Sequence, residues 1–92
     1  METPALVLDL DAMEENIREM RRLLEGTGIA LRPHYKSHKC VELARHQIAE
    51  GAKGITCAKL GEAEDLIQAG IGDVLIANQV VDPGKIARLA HL

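Results

Sequence analysis

Residues 31 to 39 read Leu-Arg-Pro-His-Tyr-Lys-Ser-His-Lys and set five cationic or titratable side chains, Arg32, His34, Lys36, His38 and Lys39, into eight positions. Charge is costly to bury, so a run of this kind is either a solvated surface turn or a place built for chemistry. The residue types say which chemistry that would be. A lysine crowded by other cations and partly withdrawn from water is biased toward its neutral amine, and a neutral amine is a nucleophile that condenses with carbonyl compounds to a Schiff base. His34, His38 and Cys40 are metal-ligand types, but their spacing is neither Cys-x-x-Cys nor His-Glu-x-x-His, so no metal site is expected from them. Cys40 and Cys57 lie 17 apart with no second pair, which reads as free thiols, not a disulfide framework.

Whether Lys36 can act depends on the elements that carry it. Residues 5 to 10, Ala-Leu-Val-Leu-Asp-Leu, have the pattern of a short strand, and Asp11 with Glu14 three places on offers an Asp version of a capping box. Met13, Ile17, Met20 and Leu24 then recur at helical spacing until Gly26 and Gly28. The pattern predicts a strand over 29–36, a helix over about 39–50 capped by Ser37 with Val41, Ala44 and Ile48 inward, and a stop at Gly51. A strand over 54–58, a helix over about 60–69 ending at Gly70, a strand over 73–77 and a helix opened by Asp82-Pro83 complete the order.

Strands ending near Lys36, Cys57 and Ala77 recur about every 20 residues, the spacing of helices crossing between parallel neighbours. An open doubly wound sheet and an eight-stranded barrel both fit, and evenly short units favour the barrel. No Gly-x-Gly-x-x-Gly and no Walker lysine is present to argue for the nucleotide-binding forms of the open sheet. The expectation is α/β, a partial (β/α)8 barrel of TIM type cut after about three βα units, hence a piece of a longer protein.

Strand alternation gives Arg32, His34 and Lys36 one face and Leu31, Pro33 and Tyr35 the other. In a barrel the apolar set meets the helices and the polar set faces the interior, with Lys36 at the carboxyl end where barrel enzymes do their chemistry. The residues equally admit lysines that reach solvent while Arg32 and His34 pair with carboxylates elsewhere. Asn78 and Gln79, after the strand at 73–77, would reach a ligand at the same end or cap the following turn. Of Thr56 and Cys57 one faces each way, with packing expected for Cys57, and Gly61, Glu62 and Glu64 read as a helix start suited to the dipole.

With one tyrosine and no tryptophan or phenylalanine in 92 residues, the chain has few large side chains to fill a core. Its charge of −3 and pI near 5.7 give no reason to bind nucleic acid or an anionic membrane. Met-Glu-Thr-Pro-Ala at the start lacks a signal peptide's basic and apolar regions, and no apolar run approaches membrane-spanning length. A cytoplasmic location is expected.

Four blocks in order, Thr-Pro-Ala-Leu-Val-Leu-Asp-Leu-Asp-Ala, Leu-Arg-Pro-His-Tyr-Lys-Ser-His-Lys-Cys, Gly-Ile-Thr-Cys-Ala-Lys-Leu-Gly-Glu-Ala-Glu and Asp-Val-Leu-Ile-Ala-Asn-Gln-Val, resemble the N-terminal part of the D-threonine aldolase and D-serine dehydratase family. That family has the alanine-racemase-like fold and uses pyridoxal 5'-phosphate. The resemblance implies that Lys36, in the pattern Arg-Pro-His-x-Lys-x-His-Lys, carries the cofactor, and it makes Arg32, His34, Asn78 and Gln79 the candidate cofactor-binding surroundings. Tyr35 is a departure, since this position is more often small or aliphatic.

The resemblance also implies that residues 1–10 join a β domain completed by C-terminal sequence, and that residues 11–92 begin the cofactor-binding barrel. A divalent metal (zinc, manganese or magnesium) would be held by C-terminal residues, and the complete protein would be a homodimer. The implied substrate is a small D-amino acid with a β-hydroxyl group. Its implied fate is cleavage of D-threonine to glycine and acetaldehyde, or dehydration of D-serine to pyruvate and ammonia. A rival of another class is a non-catalytic barrel that only holds the cofactor.

Overall fold

Two short strands, β1 (Ile55–Cys57) and β2 (Val74–Ile76), pair in parallel with Ile55 opposite Val74, Thr56 opposite Leu75 and Cys57 opposite Ile76 in the computed structural model, which describes residues 2–92. Both begin after a glycine-containing turn and are apolar or β-branched, the composition of a strand covered on a face. Four helices accompany them: α1 (Leu10–Leu24), α2 (Val41–Ala49), α3 (Leu60–Gln68) and α4 (Pro83–Ala90).

The predicted strand over 29–36 is reduced to one bridge, His34 opposite Thr56. The reason lies in its neighbour. Pro33 O accepts Thr56 N–H at 2.8 Å and Thr56 O accepts Tyr35 N–H at 2.7 Å, but the preceding bond runs from Lys53 N to Leu31 O at 2.8 Å. The ladder thus advances two residues on one side and three on the other, and Gly54 is the extra residue of a bulge. Residues 31–35 still lie beside β1, giving the parallel order 31–35, β1, β2.

Three other expectations are corrected. Residues 5–9 find no strand to pair with among the described residues, Leu6 and Val7 are exposed, and Leu10 already belongs to α1. Asp9, not Asp11, caps α1, its Oδ1 accepting Ala12 N–H at 3.0 Å; an N-cap acceptor two residues earlier wins the chain for the helix. Likewise Ser37 lies inside a turn and α2 begins after Cys40, which supplies no side-chain cap. Lys39 N–H bonds back to Tyr35 O at 2.8 Å with Lys39 itself at φ 48°, so the turn closes past Ser37 before a helix can start. The starts of α3 and α4 agree with the sequence, and Asp82 Oδ2 accepts Lys85 N–H at 3.0 Å with Pro83 in the first turn.

Both crossover helices lie on one face of the sheet. Tyr35, Ile55 and Cys57 meet Ala44 of α2 and Ala63 and Leu66 of α3 there, with Ile71 completing the buried cluster. Arg45 of α2 also reaches the carboxyl end of α3, donating to Ala69 O at 2.8 Å, where a cation suits the dipole. The opposite face, bearing His34, Thr56 and Leu75 in register, is uncovered, and Leu75 is 51% exposed. The Cα radius of gyration, 15.1 Å, exceeds the roughly 12 Å of a compact domain this long. On α1, Ile17, Met20 and Leu24 border an open groove of about 620 Å³ shared with Ile29, Leu31 and Pro33. Among the described residues no helix is long and apolar enough to cross a membrane.

Candidate active site

Lys36 lies two residues past the His34–Thr56 bridge, just beyond the carboxyl end of its segment, and is exposed. Its backbone is tightly held. Tyr35, 2% exposed, is sunk in the core and bonded to Thr56 O, His34 Nδ1 accepts Lys36 N–H at 3.1 Å, and the Lys39-to-Tyr35 bond closes the turn behind it. A second bond of the same kind follows, from Cys40 N–H to His38 Nδ1 at 3.0 Å, and the His38 ring stands edge-on to Tyr35 with centroids 5.4 Å apart. Burial pushes the Tyr35 hydroxyl above its usual pKa, and the negative charge of Asp65 adds to this. The ring is therefore a neutral anchor that turns away from the polar face, as alternation requires.

Among the described residues Lys36 has no ion-pair partner. An unpaired primary amine on a fixed backbone at the carboxyl end of parallel strands fits the attachment point of a carbonyl cofactor. The crowding by cations expected around it does not materialise from Arg32. That guanidinium contacts Asp73 instead, with Nη1 2.7 Å from Oδ1 and 3.1 Å from the carbonyl oxygen. Asp73 immediately precedes β2 and Gly54 precedes β1, so Arg32 works at the amino ends of the strands, opposite to Lys36. Its hydrogen bond holds the Asp73 carboxyl below the usual range. Gly54 makes the approach possible, since a β-carbon there would fall 2.5 Å from Arg32 Nη1.

Asn78 and Gln79 do follow β2 at its carboxyl end. Both are exposed, and Asn78 Oδ1 accepts Gln79 N–H at 3.0 Å, a local turn bond. β1 separates them from the 31–35 segment, which places them about 10 Å away across two strand spacings. They line an open cleft of about 780 Å³ together with Lys39, Lys59 and Glu62, a lining that does not include Lys36.

Glu62 is the site residue that sequence reasoning undervalued. It is 8% exposed, and its Oε1 accepts the backbone N–H groups of Ala58 (2.9 Å) and Lys59 (3.0 Å). Burial alone would raise its pKa, but those two bonds and the ammonium groups of Lys39 and Lys59 prevail and hold it below the carboxylate norm. Lys39 Nζ stands 4.0 Å from Oε2. Glu62 thus ties the loop after β1 to the turn that carries Lys36. The signal was Lys59-Leu-Gly-Glu62, a carboxylate at the third helical position, which is the reach-back half of a capping box; Lys59 has no acceptor to supply the other half.

Cys57 is fully buried in the core, and burial raises its thiol pKa with Glu62 adding to it, an inert packing role. Thr56 takes the open face, donating its hydroxyl to Arg32 O at 3.2 Å. Among the described residues no three His, Cys, Asp or Glu side chains are grouped to hold a metal.

Several known proteins share this arrangement. A D-threonine aldolase of an Arthrobacter species is 49% identical over 92 residues, the whole of this chain and 24% of that protein. The crystal structure of D-threonine aldolase from Filomicrobium marinum superposes with a TM-score of 0.94 at 49% identity, over 98% of this chain and 24% of the other. D-threo-3-hydroxyaspartate dehydratase from Delftia sp. HT23 superposes at 0.90 with 41% identity, over 99% and 24%. The chain spans about a quarter of the length of each. The family model for the alanine racemase N-terminal domain matches residues 8–92. With all but the first few residues inside that match, this chain belongs to the alanine racemase N-terminal domain family.

Proposed function

We propose that the protein carrying this segment is a pyridoxal-phosphate-dependent lyase for D-amino acids with a β-hydroxyl group, cleaving D-threonine to glycine and acetaldehyde. The observation that carries the reading is Lys36: an amine without an ion-pair partner among the described residues, on a hydrogen-bonded turn at the carboxyl end of the strands, in a chain 49% identical throughout to a D-threonine aldolase. Bound there, the cofactor supplies an electron-withdrawing ring that eases breakage of a bond at the substrate's Cα.

The chain's own residues have separate tasks. Lys36 provides the amine, Tyr35 pins its strand into the helical face, and Glu62 fixes the neighbouring loop. His34, whose Nδ1 accepts the Lys36 N–H, is the cofactor-side candidate beside it, with Asn78 and Gln79 two strands away. Arg32 supports the site from the far end of the strands. A divalent metal acting as Lewis acid on the β-hydroxyl belongs to residues outside this segment.

The reading includes closure of these strands into a (β/α)8 barrel. Two successive crossover helices on one face, with His34, Thr56 and Leu75 left open on the other, are the repeat from which such a barrel is built, and the family match over residues 8–92 supports it. It also includes residues 2–9 as a segment that joins further β structure, which would cover Leu6 and Val7.

Elimination of water in place of aldol cleavage is the second reading, favoured by the likeness to a dehydratase. The test is to incubate the complete protein, with pyridoxal phosphate and a divalent metal, with D-threonine, 3-hydroxy-D-aspartate and D-serine. Glycine with an aldehyde supports the aldolase. A 2-oxo acid with ammonia moves the assignment to a dehydratase. Neither product, with cofactor bound, overturns the lyase reading in favour of a non-catalytic carrier.

A further inference from the structure

We infer that His34 is a positioning residue that acts on Lys36 through its own backbone, by accepting the Lys36 N–H at Nδ1, and that contact between its Nε2 and the cofactor is not its main contribution. The inference rests on the reading of Lys36 as the cofactor-bearing residue.

The bond in question is 3.1 Å long and spans two residues. A backbone N–H can only donate, so Nδ1 must be the acceptor, and in a neutral imidazole this leaves the hydrogen on Nε2. The ring is therefore held in one tautomer. Around this bond the chain is already fixed at both sides. Tyr35 N–H is bonded to Thr56 O at 2.7 Å and its side chain is buried, and Lys39 N–H is bonded to Tyr35 O at 2.8 Å. Residues 36 to 38 form the turn between these anchors. The Lys36 N–H is the point at which the turn itself is gripped, so losing it frees the peptide that sets the direction of the Lys36 side chain. His38 repeats the device on Cys40 N–H at 3.0 Å, where α2 begins. One histidine thus orients the lysine and the other launches the helix.

The two roles of His34 separate chemically. His34→Asn puts an amide oxygen at the bond count of Nδ1, and asparagine readily bonds the backbone two residues on. His34→Gln extends its amide to the bond count of Nε2 and abandons the short turn bond. Each variant of the complete protein would be titrated with pyridoxal phosphate by visible absorbance, with borohydride reduction and peptide mass analysis to locate the attached cofactor and a thermal melt to confirm folding. His34→Asn should keep the parent's cofactor affinity within about threefold, whereas His34→Gln should lose about fivefold or more, the scale of one hydrogen bond. Retention in His34→Gln with loss in His34→Asn overturns the inference in favour of contact through Nε2. Equal affinity in both variants and the parent overturns it too, because the bond then positions nothing. Label on a lysine other than Lys36 in the parent refutes the underlying functional reading instead, and so distinguishes the two failures.

Discussion

Gly54 stands where the sheet has no room for a side chain, and replacing it measures how much the close approach of Arg32 and Asp73 matters. In Gly54→Ala the new methyl falls 2.5 Å from Arg32 Nη1, 2.9 Å from Asp73 Cγ and closer still to the Asp73 carbonyl oxygen. Restoring an ordinary contact of about 3.5 Å moves that carbonyl by about 1 Å. It currently accepts Ile55 N–H at 2.9 Å and Arg32 Nη1 at 3.1 Å, and a shift of that size takes both out of hydrogen-bonding range. The lost ladder bond costs about 1 kcal/mol and overpacking about 1–3 kcal/mol, while a stiffer unfolded chain returns about 0.4–1 kcal/mol. The net is a destabilisation of about 2 kcal/mol, before counting the Arg32 bond.

The same substitution at Gly61 is the control. No atom lies within 4 Å of a β-carbon there and the residue is in α3, so Gly61→Ala should stabilise by about 0.5 kcal/mol. Urea unfolding of the complete protein, followed by circular dichroism, should move the two midpoints in opposite directions. If Gly54→Ala unfolds at the parent's midpoint, or both variants shift alike, the packing described at the amino ends of the strands is wrong.

Glu62→Ala leaves two half-buried N–H groups at the start of α3 without their acceptor and should cost about 2 kcal/mol in the same urea assay, whereas Glu62→Gln, which keeps a carbonyl oxygen in place, should cost about half as much. Acid should destabilise the protein through the same carboxylates. Asp73 and Glu62 both have folded pKa values below their unfolded ones, near 4, so their contribution is complete above that value and is lost as pH falls through the lower folded values. Melting temperature should therefore stay level from about pH 7 to 5 and fall steeply below about 4, with a shallower fall in Asp73→Asn and Glu62→Gln; an equally steep fall in both variants would show that these pairs are not the cause.

Much of the fold was legible because it depends on near neighbours in sequence. The strands at 54–58 and 73–77 and the starts of α3 and α4 follow from apolar runs bounded by glycine and by Asp-Pro. Alternation correctly sent Tyr35 toward the helices, while Lys36 lies in the exposed turn that follows. The errors have specific physical origins. Asp9 and Asp11 are equally good caps by type, and it is the earlier one whose carboxylate accepts a helix N–H, that of Ala12, so α1 starts two residues sooner. Ser37 is a good cap by type, yet the turn that sets Lys36 continues past it to Cys40.

Alternation also names a face but not a height along the strand. Arg32 and Lys36 therefore read as one cluster, although Arg32 belongs to Asp73, 41 residues away and at the other end of the sheet. The bulge at Gly54 that admits this contact involves three segments at once, and no local pattern announces it.

The central claim is that the amine of Lys36 is the one that takes up the cofactor. Its most direct measurement is to add pyridoxal phosphate to the complete protein, reduce with borohydride, digest, and locate the added mass by peptide sequencing in a mass spectrometer. One modified lysine, Lys36, is expected, and no attachment in Lys36→Ala. Modification of Lys39 or Lys59 in the parent, or undiminished attachment in Lys36→Ala, would contradict it.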